Sequence, residues 1–500
     1  MIYSFEPFGY EGSLVNVEAD IRDGIPAAVD IVGIADSAVK ESRERTRAAI
    51  KNSGFEFPKK RVLLSLSPTD LRKNSAVHDL SIALAVLCSA YKKEPIEKTL
   101  VLGEIRLDGT LRPCNGTYAA MQSALNNGIT KAVLPDGSGN PPKGMKVVYA
   151  KNLKEAFHFL TECSAFDKIL EDDKSEDSCG LVEFPKLYDG ENLDDIFLPK
   201  CDENTVKAII TAVAGRHHLL MFGAPGCGKT NAAMSIEKIT PLLTYDEFQS
   251  VKRIYNLAGV FVKEKKFTPF RAPHQTATIE GICGGGINCR PGEISLAHNG
   301  VLLLDEAAEF RTSVLQMLRV PLETKRITLS RAGRSTVYPA DFQLVMTTNP
   351  CPCGNLGSKN RICLCSSKSV EMFWKKFSAP LLNRIQISIR LDSPETDEAK
   401  SKMTIGQARE IVAGAVRRQR ERGLMNGTAS FLDIERQFDD VAENDAKSTL
   451  SSLSEKFSSI EILSIKRVAL TLADIDGSDN ILQKHIDRAV ALHQMTPANI

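Results

Sequence analysis

Over the first 160 residues, short apolar runs of strand period alternate with longer segments of helical period. SLVNVEADI, AVDIVGI, RVLLSLSP, KAVLP and KVVYA read as strands, and DSAVKESRERTRAAIKNSG, HDLSIALAVLCSA and TYAAMQSALNNG as helices. Gly and Pro punctuate them, which predicts a mixed α/β domain over residues 1–160. From about Asp167 to Lys200 the chain turns acidic and apolar-poor (LEDDKSEDS), so 161–200 reads as a linker and lead-in segment. Strands and helices alternate again over 201–392, the pattern of a parallel sheet with helices on both faces. Beyond Asp392, the segments AREIVAGAVRRQRERG, KSTLSSLSEKF, SIEILSIKRVALTLADI and QKHIDRAVALHQM predict a helical domain over 393–500. No internal repeat is visible.

The second α/β region contains GAPGCGKT, between the apolar run LLMF and a helical segment. The pattern G-x-x-x-x-G-K-[ST] arises by chance in roughly 2% of chains this long, and the strand and helix around it lower that further. Gly223, Gly226 and Gly228 let the backbone turn tightly and aim N–H groups at phosphate oxygens, at the positive end of the following helix. The nucleotide-binding residues are therefore Gly223, Ala224, Pro225, Gly226, Cys227, Gly228, Lys229 and Thr230. Lys229 would reach the β- and γ-phosphates of ATP, and Thr230 would ligate Mg²⁺. The apolar run VLLLDE, Val301 to Glu306, supplies the acidic partner, with Asp305 in the Mg²⁺ shell and Glu306 polarising the attacking water.

Composition is that of an ordinary globular protein: 500 residues, 43% hydrophobic and 25% charged, enough for two to four domains. A net charge of +1 gives no overall basic field, so any contact with nucleic acid must come from local basic patches. The N-terminus MIYSFEPFGYEG lacks a basic n-region and an apolar h-region, and no apolar run approaches the ~18 residues of a membrane span. The expected location is cytoplasmic, with no membrane partner. Eight of the twelve cysteines (Cys88, Cys114, Cys163, Cys179, Cys201, Cys227, Cys283, Cys289) read as scattered thiols. The other four, Cys351, Cys353, Cys363 and Cys365, form C-x-C, nine residues, C-x-C. Four thiolates on a short Gly-containing loop can close a tetrahedral, structural Zn²⁺ shell; free or redox thiols are the alternative.

The chain resembles the magnesium-chelatase-like AAA+ ATPases of the ComM/YifB family over nearly its whole length. The blocks that carry the resemblance are Asp30 to Pro58, LSPTDLRK, FRAPHQT, GEISLAHNGVLLLDE and NPCPCG. It implies a Lon-protease-like N-terminal α/β domain, an AAA+ P-loop NTPase core and a helical C-terminal lid. It also implies homo-hexameric rings that hydrolyse ATP and, for the ComM type, drive branch migration of DNA in natural transformation. By the same resemblance Asn349 is the sensor that orients the lytic water with Glu306, and Arg384 is the finger offered to the neighbouring subunit's ATP. Three departures stand out. Ile460 and Leu470 occupy positions where the family's lid carries Arg, leaving Arg467 as the nearest substitute; LLNRIQI replaces LLDRIDL around Arg384; and IFLPKCDENTV replaces the GQ-containing approach to the core. Proteolysis is not expected, because Tyr118 falls near the place of the Lon-type Lys, and Ser75 with Lys73 do not align as a dyad. His78, at a helix start, reads as a cap or surface residue.

A ring motor must grip a substrate. RITLSRAGRSTVYP reads as a β-hairpin whose Arg326, Arg331 and Arg334 could contact DNA phosphates, branched or single-stranded; solvated or intersubunit arginines are the alternative. The Gly-rich run Gly281–Glu293 could line the pore or merely connect elements. The basic AVRRQRERG face and Trp374 beside two lysines are weaker signals. Three functions stay open: a DNA motor, a protein-remodelling or metal-chelatase-like ATPase, and an ATP-binding switch with weak hydrolysis.

Overall fold

The computed structural model of the protein describes residues 1–23, 29–32, 37–68, 76–162, 202–260, 266–331, 334–358, 361–392 and 401–493, with positions 166, 182–185, 196, 198 and 262 between them. Ser75, Lys73, Cys163, Cys179, Cys201 and most of LSPTDLRK lie outside the described residues.

In the N-terminal region the strands are β1 (Ile2–Glu6), β2 (Ser13–Arg22), β3 (Val29–Val32), β4 (Arg61–Ser67), β5 (Thr99–Val101), β6 (Glu104–Ile105), β7 (Leu111–Arg112), β8 (Lys131–Pro135) and β9 (Lys146–Ala150). Seven form one mixed sheet in the order β3-β4-β2-β1-β5-β8-β9, and β6 with β7 makes a separate ribbon. The helix Asp79–Tyr91 is apolar all round and buried from Asp79 to Cys88, as a helix without a polar face must be. His78, expected as a cap or surface residue, does stand at the N-cap of this helix, but it makes no side-chain cap bond and is fully buried. Its Nδ1 lies 2.8 Å from the Ser4 hydroxyl and its Nε2 2.8 Å from the Glu6 carboxylate. Both partners sit on β1, a short, half-polar strand that periodicity does not reveal, so the burial of His78 was not readable from its own neighbourhood.

The central region holds β10 (Leu219–Gly223), β11 (Phe270–Arg271), β12 (Gly284–Gly285), β13 (Arg290–Pro291), β14 (Val301–Leu304), β15 (Arg326–Arg331), β16 (Arg334–Pro339), β17 (Gln343–Thr348) and β18 (Ile387–Leu391). Its main sheet is parallel throughout, in the order β11-β14-β17-β10-β18. Every residue of β10 and β14 is buried, as a sheet covered on both faces requires. Strand alternation splits them between two cores. Leu219, Met221, Val301, Leu303 and Val345 face the core shared with the C-terminal helices, while Leu220, Phe222, Leu302, Leu304, Leu344 and Met346 face the other. Each such burial stabilises the fold by roughly 1.5–3 kcal/mol. Trp374 belongs to this second core, edge-on to Phe222. It is a packing residue, not a platform for bases.

Five long helices follow: Ile405–Glu421, Phe431–Val441, Asn444–Leu453, Ser459–Ile475 and Gln483–His493. The basic face of the first is partly neutralised within the domain: Arg418 pairs with Asp479 at 2.5 Å and Arg422 holds Asp474 through two nitrogens at 2.6 and 2.7 Å. Where these helices meet the sheet lies a buried polar layer. His217 Nε2 is 2.7 Å from the Thr471 hydroxyl, His218 Nδ1 accepts the Leu344 N–H at 3.0 Å, and His298 Nδ1 accepts the Asp341 N–H at 3.1 Å. Among the described residues, no helix is long and apolar enough to cross a membrane.

Candidate nucleotide site and cysteine cluster

The strand order puts β10 between β17 and β18, with β14 one place further out. Because all run parallel, their carboxyl ends bring together the loop after Gly223, the acids after Leu304 and Asn349 after Thr348, at the edge where open α/β sheets bind ligands. The loop turns through Gly226 (φ +83°) and Gly228 (φ +94°), the left-handed region that suits glycine, and ends in the helix Lys229–Ile239. At Gly223 a Cβ would lie 2.2 Å from the Leu391 carbonyl oxygen, so the neighbouring strand also demands glycine there.

Lys229 is buried and folds over the loop. Its ammonium donates to the Gly223 and Ala224 carbonyls at 2.8 and 3.0 Å and to Asn349 Oδ1 at 3.2 Å. Burial holds its pKa below the usual lysine value, against the opposing charges of Asp305 and Glu306. The Thr230 hydroxyl reaches both Asp305 carboxylate oxygens at 3.0 and 3.1 Å. A hydroxyl and a carboxylate so placed are oxygen donors suited to Mg²⁺, and the loop amides beside them suit the phosphates of ATP.

Two contributors escaped the sequence reading. Thr347 donates to Asp305 at 2.5 Å and accepts the Glu306 N–H at 2.9 Å, tying the two acids to the neighbouring strand. A signal existed: Thr347 and Asn349 share one face by strand alternation. Gln275, in the FRAPHQT block, donates to the Glu306 carboxylate at 3.3 Å, and Glu306 itself has a left-handed backbone (φ 52°, ψ 50°). Nothing local predicts that contact, which depends on β11 lying beside β14.

Arg384 is not drawn to the phosphate loop of its own chain. It pairs with Glu323 at 2.5 Å and donates to the Pro380 carbonyl at 2.5 Å. Arg467, the suggested lid substitute, is pinned inside the helical domain by a 2.6 Å bond to the Ala429 carbonyl. Ile460 is half exposed and Leu470 is buried.

The four cysteines converge. Cys351, Cys353, Cys363 and Cys365 place their sulfurs within 4.8 Å of one another, with separations of 3.4, 3.6 and 3.7 Å among the first three. A tetrahedral site with metal–sulfur bonds of about 2.3 Å has sulfur–sulfur edges of about 3.8 Å, so the donor set fits a four-thiolate metal.

The expected hairpin forms as β15 and β16, in register from Arg326↔Pro339 to Arg331↔Arg334. The Gly-rich run is no plain connector: it folds into the helix Ile279–Cys283, the ribbon β12–β13 and the helix Glu293–Leu296. The Tyr338 hydroxyl donates to the Cys289 carbonyl at 2.9 Å, joining the ribbon to the hairpin. The turn between β1 and β2 packs on both. Gly9 N–H donates to the Asn288 carbonyl, Tyr10 N–H donates to the Thr336 hydroxyl at 2.9 Å, and the Arg334 guanidinium stacks 3.5 Å from the Phe8 ring centroid. Arg334 is thereby occupied by the N-terminal region; Arg326, Arg331 and Arg290 are exposed.

Three known domain families match this chain. "Magnesium chelatase, subunit ChlI" matches residues 195–399, "Subunit ChlI of Mg-chelatase" residues 17–138, and "Magnesium chelatase, subunit ChlI C-terminal" residues 403–493. The chain is 32% identical to YifB of Escherichia coli over 98% of its length and 96% of the relative's. It is 30% identical to the competence protein ComM of Haemophilus influenzae over 99% and 97%. A shorter likeness, 34% over 84 residues, links it to the DNA repair protein RadA of Mycolicibacterium smegmatis, covering 17% of this chain and 18% of that one. With its glycine-rich loop, paired acids and the residues that end β17 gathered at one sheet edge, the chain belongs to the ComM/YifB family of magnesium-chelatase-like AAA+ ATPases.

Proposed function

We propose that the protein is an ATP-driven ring motor that acts on DNA and migrates branches during recombination or natural transformation. The observation that carries this reading is the joining of the β12–β13 ribbon to the β15–β16 hairpin, two adjoining elements that carry the exposed Arg290, Arg326 and Arg331 on a protein whose net charge is only +1. Local basic groups on adjoining loops are what a backbone-tracking motor needs. The competence protein ComM and the repair protein RadA among the relatives favour the same substrate.

In this reading Lys229, Thr230 and the loop amides hold ATP, Thr230 and Asp305 hold Mg²⁺, and Glu306 with Asn349 orients the attacking water. Mg²⁺ supplies charge neutralisation between the phosphates. Arg384 serves a neighbouring subunit in a homo-hexamer, consistent with its contacts away from its own loop. The N-terminal domain is Lon-like in ancestry and non-proteolytic, the four cysteines hold structural Zn²⁺, and the protein works in the cytoplasm.

The test is ATP hydrolysis with and without forked or four-way DNA at low salt. Stimulation that declines steeply as salt rises is expected; indifference to every DNA tested sinks the DNA reading. The chelatase-subunit likeness supports the second reading, a motor on proteins or metal insertion, which predicts stimulation by a protein partner instead.

A further inference from the structure

We propose that the cysteine cluster buttresses the hydrolysis site, so that metal occupancy sets the position of Asn349 and governs turnover more than nucleotide affinity. The proposal rests on the ATPase and metal readings above and concerns how the two sites are joined. Asn349 is followed directly by Pro350 and Cys351, so sensor and first thiol share one short segment. That segment is held on several sides. The Trp374 indole donates to the Pro350 carbonyl at 3.0 Å. The Gly354 N–H donates to the Cys351 carbonyl at 3.0 Å, closing a tight turn, and the Leu356 N–H points at the Cys351 sulfur at 3.4 Å. Arg390, at the end of β18, donates to the carbonyls of Leu356 and Gly357.

The decisive contact is with the phosphate loop itself. Gly354 (φ +78°) lies so close to Pro225 that a Cβ would stand 2.7 Å from both Cγ and Cδ of the proline, and 3.8 Å from Asn349 Cγ. The cysteine turn therefore forms one wall of the loop that carries Lys229, and Asn349 is held between that wall and the lysine.

Beyond these hydrogen bonds to residues 350–357, the four sulfurs are what tie the second half of the loop, Cys363 and Cys365, to the first. Among the described residues from 351 to 365, only Cys351 and Gly354 are buried, while Ile362 and Leu364 are 83% and 90% exposed. A segment that fully buries only the Cys351 side chain gains little hydrophobic stabilisation, and ligation of the metal supplies most of its folding free energy instead. Without the metal, Cys363 and Cys365 no longer restrain Cys351 and Cys353, the Gly354–Pro225 contact loosens, and Asn349 drifts from the water it orients. The loop glycines and the Lys229 helix lie outside the knuckle and continue to bind nucleotide.

The experiment compares the full-length wild type with Cys363→Ser and Gly354→Ala. It measures metal per chain, affinity for a non-hydrolysable ATP analogue, kcat, and amide exchange over residues 343–354. The expected wild-type result is one metal per chain. Cys363→Ser should lose the metal, lower kcat roughly 10- to 100-fold, the scale of losing a group that orients the reacting residues from outside, shift analogue affinity by no more than about 3-fold, and raise exchange at 349–354. Gly354→Ala keeps all four sulfurs and should keep the metal yet show the same fall in kcat, which separates loss of the wall from general unfolding. Metal loss with kcat and exchange unchanged overturns the inference while leaving the metal site standing; affinity falling in step with kcat also overturns it. A metal-free wild type refutes the metal reading instead. A wild type that hydrolyses no ATP refutes the ATPase reading, and exchange with analogue affinity still judges the coupling.

Discussion

Lowering the pH from about 7.5 to about 5 should strip the ATPase core of a large part of its stability through three histidines. His217, His218 and His298 are 0%, 8% and 9% exposed, and burial drives their pKa values down to about 3, 4 and 4 from the usual 6.5. A depressed histidine is neutral in the fold and takes up a proton on unfolding. Its contribution is therefore complete above about pH 6.5 and is lost as pH falls toward the folded value. At pH 5 the unfolded chain gains about 2 kcal/mol per histidine, or ~6 kcal/mol for the three, against a total of about 5–15 kcal/mol for a typical domain. Asp341, which burial raises but Arg216 and Lys325 bring below the ordinary carboxylate value, titrates lower still and leaves this window alone. Asp79, pushed up to about 6 by burial, acts in the opposite sense, but at the start of the buried helix of the N-terminal domain. The assay is urea unfolding followed by the fluorescence of Trp374, the single tryptophan, which sits in the core beside Phe222. At roughly 2–3 kcal/mol per molar urea the midpoint should fall by about 2–3 M. His218→Asn, whose amide oxygen can still accept the Leu344 N–H, should remove about a third of the fall. A midpoint that moves by less than about 0.3 M across the range refutes the account.

Glu306→Gln should leave ATP binding intact while turnover drops at least ~100-fold, because the amide cannot polarise water; nucleotide-binding and hydrolysis assays on the same preparation decide it. Arg384→Ala should also bind ATP normally and lose roughly 10³-fold in rate if it acts between subunits, with activity restored in part by mixing with Lys229→Ala chains that retain the arginine. Rescue absent from the mixture argues against a shared site. Gly9→Val should unseat the N-terminal turn from the hairpin, since a Cβ there would lie 2.1–2.4 Å from the Thr336 side chain and the backbone has φ +58°. The strain is worth about 2 kcal/mol or more, and faster amide exchange in β16 with ATP affinity unchanged is the expected sign.

The sequence by itself was enough to pick out the candidate nucleotide site. Gly226, Gly228, Lys229 and Thr230 are contiguous, and Asp305 with Glu306 close an apolar strand, so local pattern and chemistry coincide. The C-x-C pairs were legible for the same reason, because all four thiols lie on one short stretch. Tertiary structure decided what depends on neighbours far along the chain. The parallel order β11-β14-β17-β10-β18 sets Thr347 against Asp305 and Gln275 against Glu306, and β1 buries His78 with Ser4 and Glu6. Arg334, a candidate phosphate contact by its sequence, has Phe8 of the N-terminal turn stacked against it, and the RRQRER face, a weak signal in the sequence, has Arg418 and Arg422 answered by Asp479 and Asp474. The division follows from the range of the forces. Backbone turns and phosphate cradles are built from adjacent residues, whereas the charge and exposure of a side chain are fixed by whatever the fold packs against it.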